Sequence, residues 1–97
     1  MLALNAENRY QLEEDILLQA LPELDHYYAF STKNGDNFKL NHTAHWVLET
    51  IGRGVKYVDL LQTFSQNFKI DIEIAKQDLM GIIKYALENT IIKEVKP

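Results

Sequence analysis

The stretch Asn37-Phe38-Lys39-Leu40-Asn41-His42-Thr43-Ala44, continuing through Trp46, Val47, Leu48 and Ile51, constrains this chain more than any other, because a short strand turns there directly into a helix. Phe38 and Leu40 alternate with Asn37 and Lys39, the period-2 pattern of a half-buried strand. Asn41 ends it, and its side-chain oxygen is suited to accept an unpaired backbone N–H of a first helical turn, a contribution of about 1 kcal/mol. From His42 onward, Ala44, Val47, Leu48 and Ile51 fall at i, i+3, i+4 and i+7, which predicts a helix over residues 42–51 with one apolar stripe toward a core. The rest of the chain has to pack around this joint.

Composition narrows the function. A chain of 97 residues is read as one domain, with 46% hydrophobic and 25% charged residues, as in an ordinary globular protein. Ten basic residues against fourteen acidic ones give a net charge of −4 with no Lys/Arg cluster, so nucleic acid is not the expected partner; phosphate neutralisation needs a basic face. With no cysteine there is neither a disulfide framework nor a thiolate metal site. Apolar runs are too short for a membrane span, and Met1-Leu2-Ala3-Leu4 lacks the charged start and apolar core of a signal peptide, so a cytoplasmic protein is expected.

Before the joint, residues 1–9 read as a loose start and residues 14–21 as a strand that Pro22 ends, because proline fixes φ and cannot continue a ladder. Aromatic-rich residues 26–32 predict a second strand and residues 37–40 a third. For the Lys33-Asn34-Gly35 turn between them, a three-residue loop with Gly35 left-handed sets Phe38 opposite Phe30 and Leu40 opposite Tyr28, and that register is the expectation. Its consequence is an antiparallel meander whose third strand has an edge without a partner. After the Gly52-Arg53-Gly54 break, Tyr57, Leu60, Leu61, Phe64 and Phe68 predict a helix over 57–67. Asp71 then caps a third helix over 72–88, with Ile72, Ala75, Leu79, Ile82, Ile83, Ala86 and Leu87 toward the core. Ile74, Asp78, Gly81 and Tyr85 share a second, mixed face of that helix. Ile91, Ile92 and Val95 close the chain as an extended tail, with Lys93, Glu94 and Lys96 toward water. The fold class is α+β, a three-stranded antiparallel β-meander followed by three helices in a winged helix-turn-helix-like layout.

From about Ile16 to Lys93 the sequence resembles the PqqD-like family, named for the coenzyme PQQ synthesis protein D and also called the precursor-peptide recognition element. The Phe38-Lys39-Leu40-Asn41 run with Thr43-Ala44 carries the resemblance most specifically. Ile16-Leu17-Leu18, Asp25 with Tyr27-Tyr28, Val47-Leu48, Gly52-Arg53-Gly54, Asp78-Leu79, Ile82-Ile83 and Ile91-Ile92 add to it. It implies a noncatalytic adaptor, needing no cofactor, that binds the leader segment of a ribosomally made precursor peptide. The leader is then presented to a modifying enzyme such as a radical SAM protein, a protease or a cyclase. By the same resemblance the leader adds as a strand at Asn37, Phe38, Lys39 and Leu40 and lies in a groove walled by Ile74, Asp78, Gly81 and Tyr85. Strand addition needs only an open edge and a lined groove, which agrees with the residue reading. The chain departs from the family where Ser or Thr often caps the second helix, here Lys56-Tyr57, and where Gly is frequent, here Asn89-Thr90.

Each of these residues also has a plainer reading. Gly81 costs a helix about 1 kcal/mol relative to Ala, compensated either by tight packing on the domain's own sheet or by approach of a peptide backbone. Asp78 suits either a basic residue of a leader or plain solvation, and Tyr85 either the groove or the open surface. Trp46 is expected under a hairpin or the tail, or else exposed as an enzyme docking point. His42 and His45 lack the further ligands that a structural metal site requires. The competing function is a winged-helix DNA-binding regulator. Against it, residues 71–93 carry four acidic and three basic side chains, net −1 where phosphate contact wants the reverse. An enzyme is not expected, as no nucleophile, base and orienting group assemble. The open edge could also pair with a second copy to make a homodimer.

Overall fold

The strand-to-helix joint forms where the sequence predicts it, a strand ending at Leu40 and a helix beginning at His42. In the structure, a computed structural model that describes residues 8–95, the order is β1 (Arg9–Leu12), β2 (Ile16–Leu21), β3 (His26–Ser31), β4 (Asn37–Leu40), α1 (His42–Ile51), α2 (Tyr57–Phe68), α3 (Ile72–Glu88) and β5 (Ile92–Val95). Strands β2, β3 and β4 form an antiparallel sheet in that order, and β1 pairs antiparallel with β5 in a separate two-stranded sheet. A 3-10 turn, Pro22–Leu24, with Asp25 left-handed at φ 54°, joins β2 to β3 as the proline predicts. No helix among the described residues is long and apolar enough to cross a membrane.

The caps form as the sequence predicts. Asn41 Oδ1 accepts the Ala44 N–H at 2.7 Å, and Asp71 Oδ2 accepts the Glu73 N–H at 3.0 Å. Helix α2 starts differently. The backbone of the segment leading into β1 meets it, with the Tyr57 N–H donating to Asn8 O at 2.7 Å, a partner supplied from the far end of the sequence. The helices cover one face of the sheet. Val47, Leu48 and Ile51 of α1, Leu60 and Phe64 of α2, and Ala75, Leu79, Ile83 and Ala86 of α3 are almost wholly buried, with Ile91 and Ile92 closing the core behind them.

Three expectations are corrected. The β3–β4 register is Tyr27↔Leu40, Tyr28↔Lys39, Ala29↔Phe38 and Phe30↔Asn37, one residue away from the expected pairing of Phe38 with Phe30. Gly35 is left-handed as expected, at φ 78°, but the loop holds Thr32 as well. The Gly35 N–H donates to Ser31 O, and Asn34 Oδ1 accepts the Asp36 N–H, which closes a four-residue connection. Tyr27, Ala29 and Ser31 therefore face the core, and Tyr28 and Phe30 face the other way.

The second correction concerns the start of the chain. Arg9 begins β1 rather than ending a loose segment; residues 1–7, and the solvent-facing Lys96 of the expected tail, lie outside the described residues. Tyr10 is 2% exposed, and the tail residues 92–95 that pair with β1 are a strand. Third, Trp46 packs neither under a hairpin nor under the tail. It sits between α1 and α2, with ring centroids 5.9 Å from Phe64 and 5.4 Å from Phe68. His42 and His45 extend this aromatic group to Tyr27 at 5.5 and 5.1 Å, tying α1 to the sheet.

Candidate functional site

The free edge of β4 can be resolved residue by residue. Ser31 donates its N–H to Asp36 O at 2.8 Å, so this opposed pair is hydrogen-bonded. Antiparallel ladders alternate. Ala29–Phe38 and Tyr27–Leu40 are then the next bonded pairs, and Asn37 and Lys39 direct their N–H and C=O groups away from β3. Among the described residues no strand pairs with that side of β4; the nearest candidate from the start of the chain, β1, is engaged with β5.

Beside this edge lies a cleft of about 450 Å³ between the β4–α1 joint and α3, within the range of small ligand sites. Leu40, Ala44 and Leu48 line one wall, and Asp78, Gly81, Ile82, Tyr85 and Ala86 the other; Lys39, Asn41 and Gln77 complete the rim. The direct passage from strand to helix brings the walls together. Asn41 stops β4 and caps α1, so the last strand residue and the first turn of α1 lie side by side. The interior is largely apolar, and Lys39 and Asp78 set one charge of each sign among its exposed residues.

Of the eight residues singled out from the sequence, five line this cleft: Lys39, Leu40, Asp78, Gly81 and Tyr85. Asn37 is exposed on the edge beyond it, and Phe38 is half-buried and turns into a different hollow near the hairpin tip. Ile74 stands 52% exposed, outside the cleft on the N-terminal side of Asp78. The structure removes one of the two readings of Gly81. A Cβ built there meets no atom within 4 Å, so packing against the domain's own sheet is not what holds glycine at this position.

Sequence reasoning had assigned Ala44, Leu48, Ile82 and Ala86 to the core and passed over Gln77. Leu48 and Ala86 are core residues as that spacing predicts, each 1% exposed, and all five also line the cleft, a placement that periodicity within one helix does not encode. Ala44 and Ile82 are only half-buried, which marks this opening in the core. His42 and His45 are members of the aromatic group, and no group of three or more His, Cys, Asp or Glu side chains placed to hold a metal occurs among the described residues.

No protein-family model matches the chain, and no curated protein matches its sequence. Solved structures do share its fold. A lasso peptide synthetase B1 complexed with the leader peptide superposes with a TM-score of 0.74 at 16% identity, over 88% of this chain and 98% of that one. TbiB1 in complex with the TbiA(beta) leader peptide gives 0.76 at 9% identity, over 90% and 99%. The PqqD truncation of Methylobacterium extorquens PqqCD, a stand-alone recognition element for ribosomally synthesized and post-translationally modified peptides, gives 0.75 at 14% identity, over 94% and 95%. At these identities the likeness is one of fold.

Proposed function

Because the chain has the fold of the PqqD-like recognition elements, we propose that it binds the leader segment of a ribosomally made precursor peptide, which adds as a strand to β4 and lays side chains into the cleft along α3. The observation that carries this reading is the coincidence of a strand edge without a partner among the described residues and an apolar cleft at the same joint. Main-chain bonds to Asn37 and Lys39 would provide affinity irrespective of sequence, and the cleft would select among side chains. Its volume suits one or two large apolar side chains, flanked by residues that complement Asp78 and Lys39. The domain makes and breaks no bond in this scheme. It holds the leader in a fixed frame so that a radical SAM enzyme, protease or cyclase meets the adjoining core segment.

The test titrates the protein, in calorimetry and amide NMR, with the synthesised leader of a short precursor peptide sought among the neighbouring genes. Shifts are expected at residues 37–40 and along one face of α3. Lys39→Pro removes an outward N–H while leaving the β3 ladder intact, and is expected to keep the fold and weaken binding about tenfold. A folded Lys39→Pro protein that binds the leader unchanged overturns strand addition at β4. Salt-sensitive binding of duplex DNA would instead favour the winged-helix regulator.

A further inference from the structure

The sheet has a second border, and its chemistry differs from that of β4. Strand β2 is six residues long, Ile-Leu-Leu-Gln-Ala-Leu, and carries no charge, whereas β4 is four residues long and presents Lys39. Proteins ordinarily blunt an open strand with charge, proline or a bulge, and within β2 none of these occurs. Among the described residues no strand pairs with its outer side. Leu17 and Leu21 are 52% and 49% exposed on the sheet face away from the helices. A hollow of about 390 Å³ lined by Gln19, Ala20, Leu21 and Tyr28 opens beside them.

We infer that β2 is the contact of a symmetric dimer, a second copy of this chain pairing antiparallel with it about a twofold axis through Gln19. The hydrogen-bond phase admits an axis through any residue of β2, and the apolar pattern selects Gln19. Thr32 donates its N–H to Asp15 O at 2.8 Å, so the bonded pairs with β3 are those of Leu17, Gln19 and Leu21, and Leu18 and Ala20 turn their N–H and C=O groups outward. An axis through Gln19 sets Leu18 of one copy opposite Ala20 of the other, twice, so the outward groups satisfy one another. The same axis sets Leu17 of one copy against Leu21 of the other, also twice, and brings Leu17 to the hollow beside Leu21. Shifting the axis to Leu18 sets Leu17 against Gln19, shifting it to Ala20 sets Leu21 against Gln19, and either loses both leucine pairs. A two-fold contact must be self-complementary, and this segment is so in sequence, bonding phase and apolar pattern together. The dimer joins two sheets into one of six strands, and leaves both β4 edges and both clefts open at its ends.

One pair of six-residue strands is a small contact of the kind weak, transient complexes use, so sedimentation velocity over a wide concentration range is the measurement. A reversible monomer–dimer equilibrium is expected. Gln19→Lys and Gln19→Glu each oppose like charges at the axis on a residue exposed in the monomer, and each should raise the dissociation constant about fivefold with unchanged circular dichroism. Mixing the two variants should restore dimer as a heterodimer. A monomer at every concentration overturns the inference, as does a dimer indifferent to both substitutions. A dimer abolished by leader peptide but not by Gln19→Lys would place the contact at β4 instead, and saturation of the β2 face by a purified modifying enzyme without self-association would assign it to that enzyme.

Discussion

Gly81 is where the chemistry of a single residue says most about the molecule. Glycine within a helix costs about 1 kcal/mol relative to alanine, and at this position a methyl group would touch nothing, so the cost is not offset by internal packing. Gly81→Ala is expected to raise stability by about 0.5–1 kcal/mol in a urea titration. Gly81→Leu is expected to fold equally well yet fill the cleft and weaken leader binding about tenfold, because its side chain occupies the space between α3 and the β4–α1 joint. Unchanged affinity of the leucine variant in calorimetry would remove Gly81 from the site. Thr90 presents the opposite case. It holds φ 57°, a left-handed conformation that a β-branched side chain resists, and Thr90→Gly should raise the urea midpoint by the equivalent of about 1 kcal/mol.

At the scale of elements, the hairpin between β3 and β4 decides which side chains enter the core. Four loop residues, one more than the turn signal itself suggests, exchange the two faces of β3: Ala29 and Tyr27 rather than Tyr28 and Phe30 oppose the inward side chains of β4. Both registers preserve an alternating pattern, and the difference rests on the Ser31–Asp36 closure and on how Tyr27 meets His42 and His45 of α1. Gly35→Val places a β-branched residue at φ 78° and should destabilise the domain by about 1–2 kcal/mol, with hydrogen exchange of the β4 amides accelerating more than that of α3. Equal acceleration in both elements would show that the hairpin does not open separately. The β1–β5 pair was the least legible element. Arg9-Tyr10-Gln11-Leu12 alternates, but its partner lies at the other end of the chain and no local pattern connects them.

For the molecule as a whole, β1 closes the core with Tyr10, which sits beside Tyr57 at the start of α2. Burial raises both phenols above their ordinary value of 10.0, and the charge of one phenolate further opposes ionisation of Tyr57. The unfolded chain therefore gives up these protons first as pH rises. Their contribution to stability is complete below the unfolded value, near 10, and is lost as pH climbs through the higher folded values. Ultraviolet absorbance should show Tyr10 and Tyr57 titrating later in the folded protein than in the urea-unfolded chain, in step with the loss of stability. Tyr57→Phe should remove one late step. A Tyr57→Phe variant whose folded-state titration curve lacks no late step relative to the parent would exclude the effect.

The order of the meander and the three helices, the caps Asn41 and Asp71, the left-handed Gly35 and the mixed face of α3 all follow from residue spacing and local backbone preference. Those forces act over a few residues, and the sequence displays them directly. The β3–β4 register, the pairing of the two chain ends, the place of Trp46 between α1 and α2, and the opening that turns Ala44 and Ile82 from core into cleft were decided only when elements met in space. These depend on loop closure and on the fit of side chains from distant segments, terms that no window along the chain contains.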